Sequence, residues 1–100
     1  MKIHIDDGAL VEMEAAVEYS AYFFGVGDKL AQSIIHASNL IAEDPFRFRK
    51  LNDNMRIYHL PHFPYYFIFS ASSESDTVSI FVFGHTSRRP GYWKSRISEA

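Results

Sequence analysis

One hundred residues make a single domain near the lower end of the usual size range. Hydrophobic residues are 47% of the chain, charged residues 22% and aromatics 16%, which excludes a disordered chain. There is no cysteine, so disulfide scaffolds, thiolate metal sites and cysteine nucleophiles are excluded, and a reducing cytoplasm suits the composition. The net charge of −2 hides a split. Residues 1–46 carry two basic against eight acidic side chains, −6, whereas residues 47–100 carry eight against four, +4. Either the second half faces an anionic partner, or the two halves attract one another in the fold.

Residues Ile3–Ile5 read as a short edge strand, and Met1–Asp7 lacks a signal-peptide core. From Ala9 the period becomes helical. Leu10, Met13, Val17, Ala21 and Phe24 recur at three- and four-residue spacing, with Ala16, Tyr19 and Phe23 widening that face. Glu12, Glu14 and Glu18 lie mostly off it and read as a solvated face. Gly25 and Gly27 break the helix. Asp28 suits the N-cap of a second helix with Leu30, Ile34, Ala37 and Ile41 as its apolar stripe, and Asp44-Pro45 stops it. The short link makes the two helices an antiparallel hairpin with one apolar side.

After Pro45 the pattern turns to β. Phe46-Arg47-Phe48-Arg49 alternates, Asn52-Asp53-Asn54 is a turn, and Met55–Leu60, Tyr65–Phe69 and Thr77–Phe83 read as strands. The last is the most apolar and is expected to be central. His85–Arg96 is polar, basic and aromatic, with a short helix after Pro90. No repeat, linker or low-complexity segment interrupts the chain, and its longest apolar run, Tyr65–Phe69, is far short of a membrane span. The predicted fold is α+β, a helical hairpin on one face of a small, mainly antiparallel sheet. Nothing is left over to cover the other face, so that face is expected to be solvated or to dock a partner.

No phosphate loop or nucleophile elbow is present. His59 and His62 stand three apart in a strand and a Pro-flanked link, a spacing that does not aim both rings at one ion, so no metal is expected. The constellation that carries chemistry is Arg56, His85, Arg88, Arg89, Tyr92, Trp93, Lys94 and Arg96. A His among Arg and Tyr can do acid–base work on a phosphodiester while Arg stabilises the developing charge. The same set can dock nucleic acid, or an acidic or amphipathic peptide. In the structural alternative, Tyr92 and Trp93 cap the core and the arginines are solvated.

The chain resembles the RelE/ParE family of toxin–antitoxin toxins, also called plasmid stabilisation proteins. The resemblance rests on Glu14-Ala15-Ala16 with Tyr19; Gly25-x-Gly27; Ile41-x-x-Asp44-Pro45; Arg56 on a strand; Phe63-Pro64-Tyr65; and His85-x-x-Arg88-Arg89-Pro90-x-Tyr92-Trp93. It spans residues 9 to 97. It implies a cytoplasmic bacterial toxin, without cofactor, metal or membrane attachment, neutralised by a cognate antitoxin whose C-terminal segment wraps it as helix or strand. The oligomeric state is left open. RelE-like members cleave mRNA in the ribosome, and ParE-like members inhibit DNA gyrase without being nucleases. The ending looks ParE-like, and Arg56, Tyr58, Arg88, Arg89, Tyr92 and Trp93 would then bind target or partner. In the nuclease alternative His85 is the acid or base, and Arg56 and Arg88 hold the phosphate. The net acidic charge speaks against that alternative, as does Tyr58-His59-Leu60-Pro61-His62 where relatives are Arg-rich. A non-toxic binding module is the third reading.

Overall fold

A computed structural model describes residues 1–97. The elements run β1 (Lys2–Ile5), α1 (Asp7–Phe24), α2 (Gly27–Glu43), β2 (Arg49–Lys50), β3 (Arg56–His59), β4 (Tyr65–Ser72), β5 (Thr77–His85) and α3 (Lys94–Ile97). They build one five-stranded sheet in the order β1-β5-β4-β3-β2. Only β1 runs parallel to its neighbour, β5; the other three pairings are antiparallel. β5 is an interior strand, as its apolar sequence predicts, but β4 is the one at the middle. Pro45–Arg47 forms a 3-10 turn, so the expected strand over 46–49 shrinks to β2.

Asp6 caps α1 through a bond accepted from the Gly8 N–H. The helix ends at Gly25, whose φ of 66° is left-handed; the Gly25 and Val26 N–H groups return to the Ala21 and Ser20 carbonyls. α2 starts earlier than expected. Its N-cap is Val26, with no side-chain cap, and Asp28 lies in the first turn, where its charge favours the helix N-terminus. Gly27 is needed for packing, because a Cβ there would stand 2.7 Å from Ala21 Cβ.

The buried face of α1 is Ala9, Met13, Ala16 and Ser20, with Val17 at its margin. This is rotated from the predicted stripe. Leu10, Ala21 and Phe24 are exposed, and Tyr19, Tyr22 and Phe23 stand out with them. Small residues let the helix lie close to the sheet, and the aromatics at its end misled the periodicity. In α2 the predicted Leu30, Ile34, Ala37 and Ile41 are buried as read. Both helices pack on a core with Phe67, Phe69, Val78, Ile80 and Phe83. A bulge between β4 and β5, at Ile68/Phe69, shifts the alternation by one residue. Ile80 and Phe83 therefore share the helix side despite their odd spacing, and Val82 turns to the opposite face.

The opposite face is not left open. Met55, Tyr66, Ile68, Val82 and Ile97 form a second buried cluster there, against which Leu51, Ile57, Phe81, Tyr92 and Trp93 pack. The expectation of a bare second face is thus corrected: the segment from Tyr92 to Ile97 folds back and covers it. The structural alternative read for Tyr92 and Trp93 is the one realised.

Candidate functional site

The return of the C-terminal segment depends on one carboxylate. Glu12, one position outside the helix-buried row, reaches past the end of β1 to β5. β1 pairs only as far as Ile80, and Asp6 N–H closes that ladder on the Ile80 carbonyl. Beyond it, side chains complete the strand edge. Phe83 N–H donates to Glu12 Oε1 at 3.1 Å, and the Arg96 guanidinium donates to the Phe81 carbonyl at 2.7 Å. Arg96 also donates to Glu12 Oε1 at 3.0 Å, and the Tyr92 hydroxyl donates to Glu12 Oε2. Three groups, two from β5 and one from the C-terminal segment, thus close on one carboxyl–guanidinium pair, and an edge that invites strand addition is blocked. Gly8 makes room for it, since a Cβ there would lie 3.0 Å from an Arg96 nitrogen. Glu12 therefore does not belong to the solvated row expected of it, whereas Glu14 and Glu18 do.

Arg88 lies flat on the Tyr92 ring, 3.8 Å from its centre. Its nearest Glu12 oxygen is 4.0 Å away, too long for a hydrogen bond, and its side chain is 55% exposed. His85 follows, with Nδ1 accepting the Ser87 N–H at 3.0 Å and its ring edge-on to Tyr65. Acceptance at Nδ1 leaves Nε2 to carry the proton in the neutral ring. Glu12, His85, Arg88 and Tyr92 share a cleft of about 400 Å³ with Tyr19 and Tyr65. Desolvation first, and then the bond to Glu12 and its charge, hold the Tyr92 phenol well above its ordinary value. Burial also raises Tyr65 and Tyr66. Arg96 is raised chiefly by its bond to Glu12.

These raised phenols set a pH dependence. A phenol raised by folding contributes stability that is intact below its unfolded value of about 10 and lost as pH climbs above it. Above pH 10 the unfolded chain releases protons that the folded chain keeps, so unfolding is favoured. Urea titrations at pH 8 to 11 are expected to show a flat midpoint up to pH 10 and a decline beyond it. The Tyr92→Phe variant should decline less steeply; an identical slope would refute the assignment.

The other predicted site residues are distributed elsewhere. Arg56 stands opposite Phe69 on β4, whereas Tyr65, four residues away along that strand, is the residue opposite His85. The predicted grouping of Arg56 with His85 and Arg88 around one phosphate is therefore not assembled. Instead Arg56 donates to the Phe46 and Phe48 carbonyls at 3.0 and 2.8 Å and clamps the turn before β2. Tyr58 packs on Phe48 and Phe67 on the helix side. Trp93 packs on the second face. Arg89 is exposed. Sequence reasoning missed Glu12, Gly8 and Gly84. With the α1 face set at Ala9, Met13 and Ala16, Glu12 falls three residues from Ala9 at the edge of that face, which is the signal that was available. Among the described residues no group of three His, Asp or Glu side chains is placed to hold a metal, and no helix is long and apolar enough to cross a membrane.

A helical hairpin on a five-stranded mixed sheet is the RelE/ParE-like fold. A chain of the chromosomal ParDE TA system from P. aeruginosa superimposes with a TM-score of 0.74 at 13% identity, covering 87% of this chain and 97% of that one. The isolated E. coli RelE toxin superimposes with a TM-score of 0.58 at 15% identity, covering 99% and 98%. No protein-family model matches the sequence, and no curated protein matches it.

Proposed function

We propose that this chain is the toxin of a type II toxin–antitoxin pair, ParE-like in action: a cytoplasmic inhibitor of DNA gyrase held inactive by a cognate antitoxin. The observation that carries this reading is the Glu12 carboxylate at the centre of the terminal cations. A ribonuclease needs its arginines and its Tyr hydroxyl free for phosphate. Here Arg96 and Tyr92 are spent on Glu12, and Arg56 is spent on a turn. Binding without chemistry then falls to the exposed arginines, Arg88 and Arg89. Induced expression is expected to arrest growth, and the purified chain to inhibit gyrase supercoiling at micromolar concentration. Unchanged supercoiling at that concentration removes the gyrase reading, and normal growth on induction favours a non-toxic binding module.

One observation favours a second reading, the ribosome-dependent ribonuclease. His85, Arg88 and Tyr92 do share one cleft. In that case cleavage of mRNA in translating extracts is abolished by His85→Ala, and cleavage that survives the substitution rules His85 out.

A further inference from the structure

A cavity of about 540 Å³ lies between α2 and the link from β3 to β4, and it shares no lining residue with the Glu12 cleft. Its volume falls within the roughly 300–1,000 Å³ of small-molecule sites. One wall follows from the sequence of α2. Lys29, Ser33, His36 and Leu40 each stand one position before a member of the buried stripe Leu30, Ile34, Ala37 and Ile41. Burying that stripe on the sheet carries the preceding row to the edge of the contact, where it faces the link. The other wall is Tyr58 on β3 with Leu60 and Phe63 beyond it. Leu60 is buried, and Leu40, Tyr58 and Phe63 are half-buried, so the floor is apolar.

The link itself is tightly built. Pro61 and Pro64 fix φ on either side of His62-Phe63. Leu60 N–H donates to the Tyr65 carbonyl, and Tyr65 N–H donates to the Phe63 carbonyl. Between them His62 has a φ of 69°, in the left-handed region that residues other than glycine adopt rarely. Glycine would hold this turn with less strain, so an imidazole stands there at a backbone cost, and such outliers gather at ligand clamps.

Charge narrows the ligand. No Asp or Glu lines the cavity, although residues 1–46 carry −6. Lys29, His36 and His62 are exposed at its rim. Lys29 brings a full positive charge, and each imidazole brings a ring N–H donor. Among the described residues none of these three side chains enters an ion pair or a side-chain hydrogen bond. We infer that this cavity binds a small amphipathic carboxylate, with its head on Lys29 and the two imidazoles and its apolar body on Leu40, Tyr58 and Phe63. One full cation matches a monoanionic carboxylate better than a phosphate dianion, and the apolar floor selects a ligand with a hydrocarbon body. The inference goes beyond the toxin reading and does not rest on it.

The test titrates the full chain with hydrocinnamate and with its neutral analogue hydrocinnamamide, followed by NMR at the Leu40 and Leu60 methyls and the Tyr58 ring. The carboxylate is expected to shift these resonances, and the amide to bind roughly tenfold more weakly, the loss of a charge-assisted hydrogen bond. Lys29→Gln should weaken the carboxylate by a similar factor and leave the amide unchanged. His62→Gly separates binding from folding. Freed of a side chain in the left-handed region, it should melt no lower than the parent, yet bind the carboxylate more weakly. Millimolar hydrocinnamate that moves none of these resonances overturns the inference, and so does equal binding of acid and amide. Full-strength binding by either variant, or tighter binding of phenyl phosphate than of hydrocinnamate, does the same. The readout is binding to the isolated chain, so its failure is distinct from a failure to arrest growth or to inhibit gyrase.

Discussion

Replacing Glu12 with alanine is expected to lower stability by about 3 kcal/mol, the scale of breaking a largely buried ion pair by removing one partner. The loss has three parts. The Phe83 N–H, the Tyr92 hydroxyl and the Arg96 guanidinium each lose their acceptor, although Arg96 keeps the Phe81 carbonyl. The Glu12 side chain is only 15% exposed, so water replaces these bonds poorly. The segment from Tyr92 to Ile97 should loosen first, because Glu12 is its tie to α1. A melting temperature lower by roughly 12–20 °C is expected for a domain of this size. Glu12→Gln should recover part of the loss, since an amide oxygen still accepts from Phe83 and Tyr92. Glu14→Ala and Glu18→Ala, on the open face, should stay within about 0.5 kcal/mol of the parent. Thermal unfolding of the four variants checks this, and an alanine at Glu12 that melts with the controls would refute the role assigned to it.

The second large effect is expected at Gly84. A Cβ added there would stand 2.7 Å from the Tyr66 Cζ and hydroxyl and 2.9 Å from the Tyr92 hydroxyl. Both hydroxyls end rigid rings; that of Tyr92 is hydrogen-bonded to Glu12 and Tyr66 is itself buried, so neither yields easily. Gly84→Ala should cost about 2 kcal/mol, as overpacking does. Removing one of the opposed oxygens should relieve part of it. In the Tyr92→Phe background the same glycine substitution is expected to cost measurably less, a coupling that a double-mutant cycle in urea reads directly. Equal costs in both backgrounds would show that Tyr92 is not the obstacle. The expected changes would also separate the C-terminal cover from the helix-side core. Near-ultraviolet signals of Trp93, which packs on the second face, should change before those of the helices.

Much of the architecture was legible in the chain itself. The order of helices and strands, the α2 stripe at Leu30, Ile34, Ala37 and Ile41, and the edge position of β1 follow from local patterns of apolar residues and turn formers. Such patterns report what a segment does against its immediate neighbours. They failed at α1. There Tyr19, Tyr22, Phe23 and Phe24 are apolar yet exposed, so the hydrophobic count pointed to the wrong side of the helix. They also failed at the bulge, where one extra residue reverses which side chains of β5 face the helices.

What the sequence determined alone is the helical hairpin, the strand set and a basic, aromatic ending, because each depends on residues within a few positions of one another. The tertiary structure decided what that ending does. Glu12 and Arg96 are 84 residues apart, and Glu12 and Tyr92 are 80 apart. No periodicity links such positions, yet a carboxylate leaving water must find donors, and the folded chain supplies them from β5 and the C-terminal segment. That one requirement ties the terminal segment over the second sheet face, while the register of β3 and β5 on β4 is what sets Arg56 apart from His85.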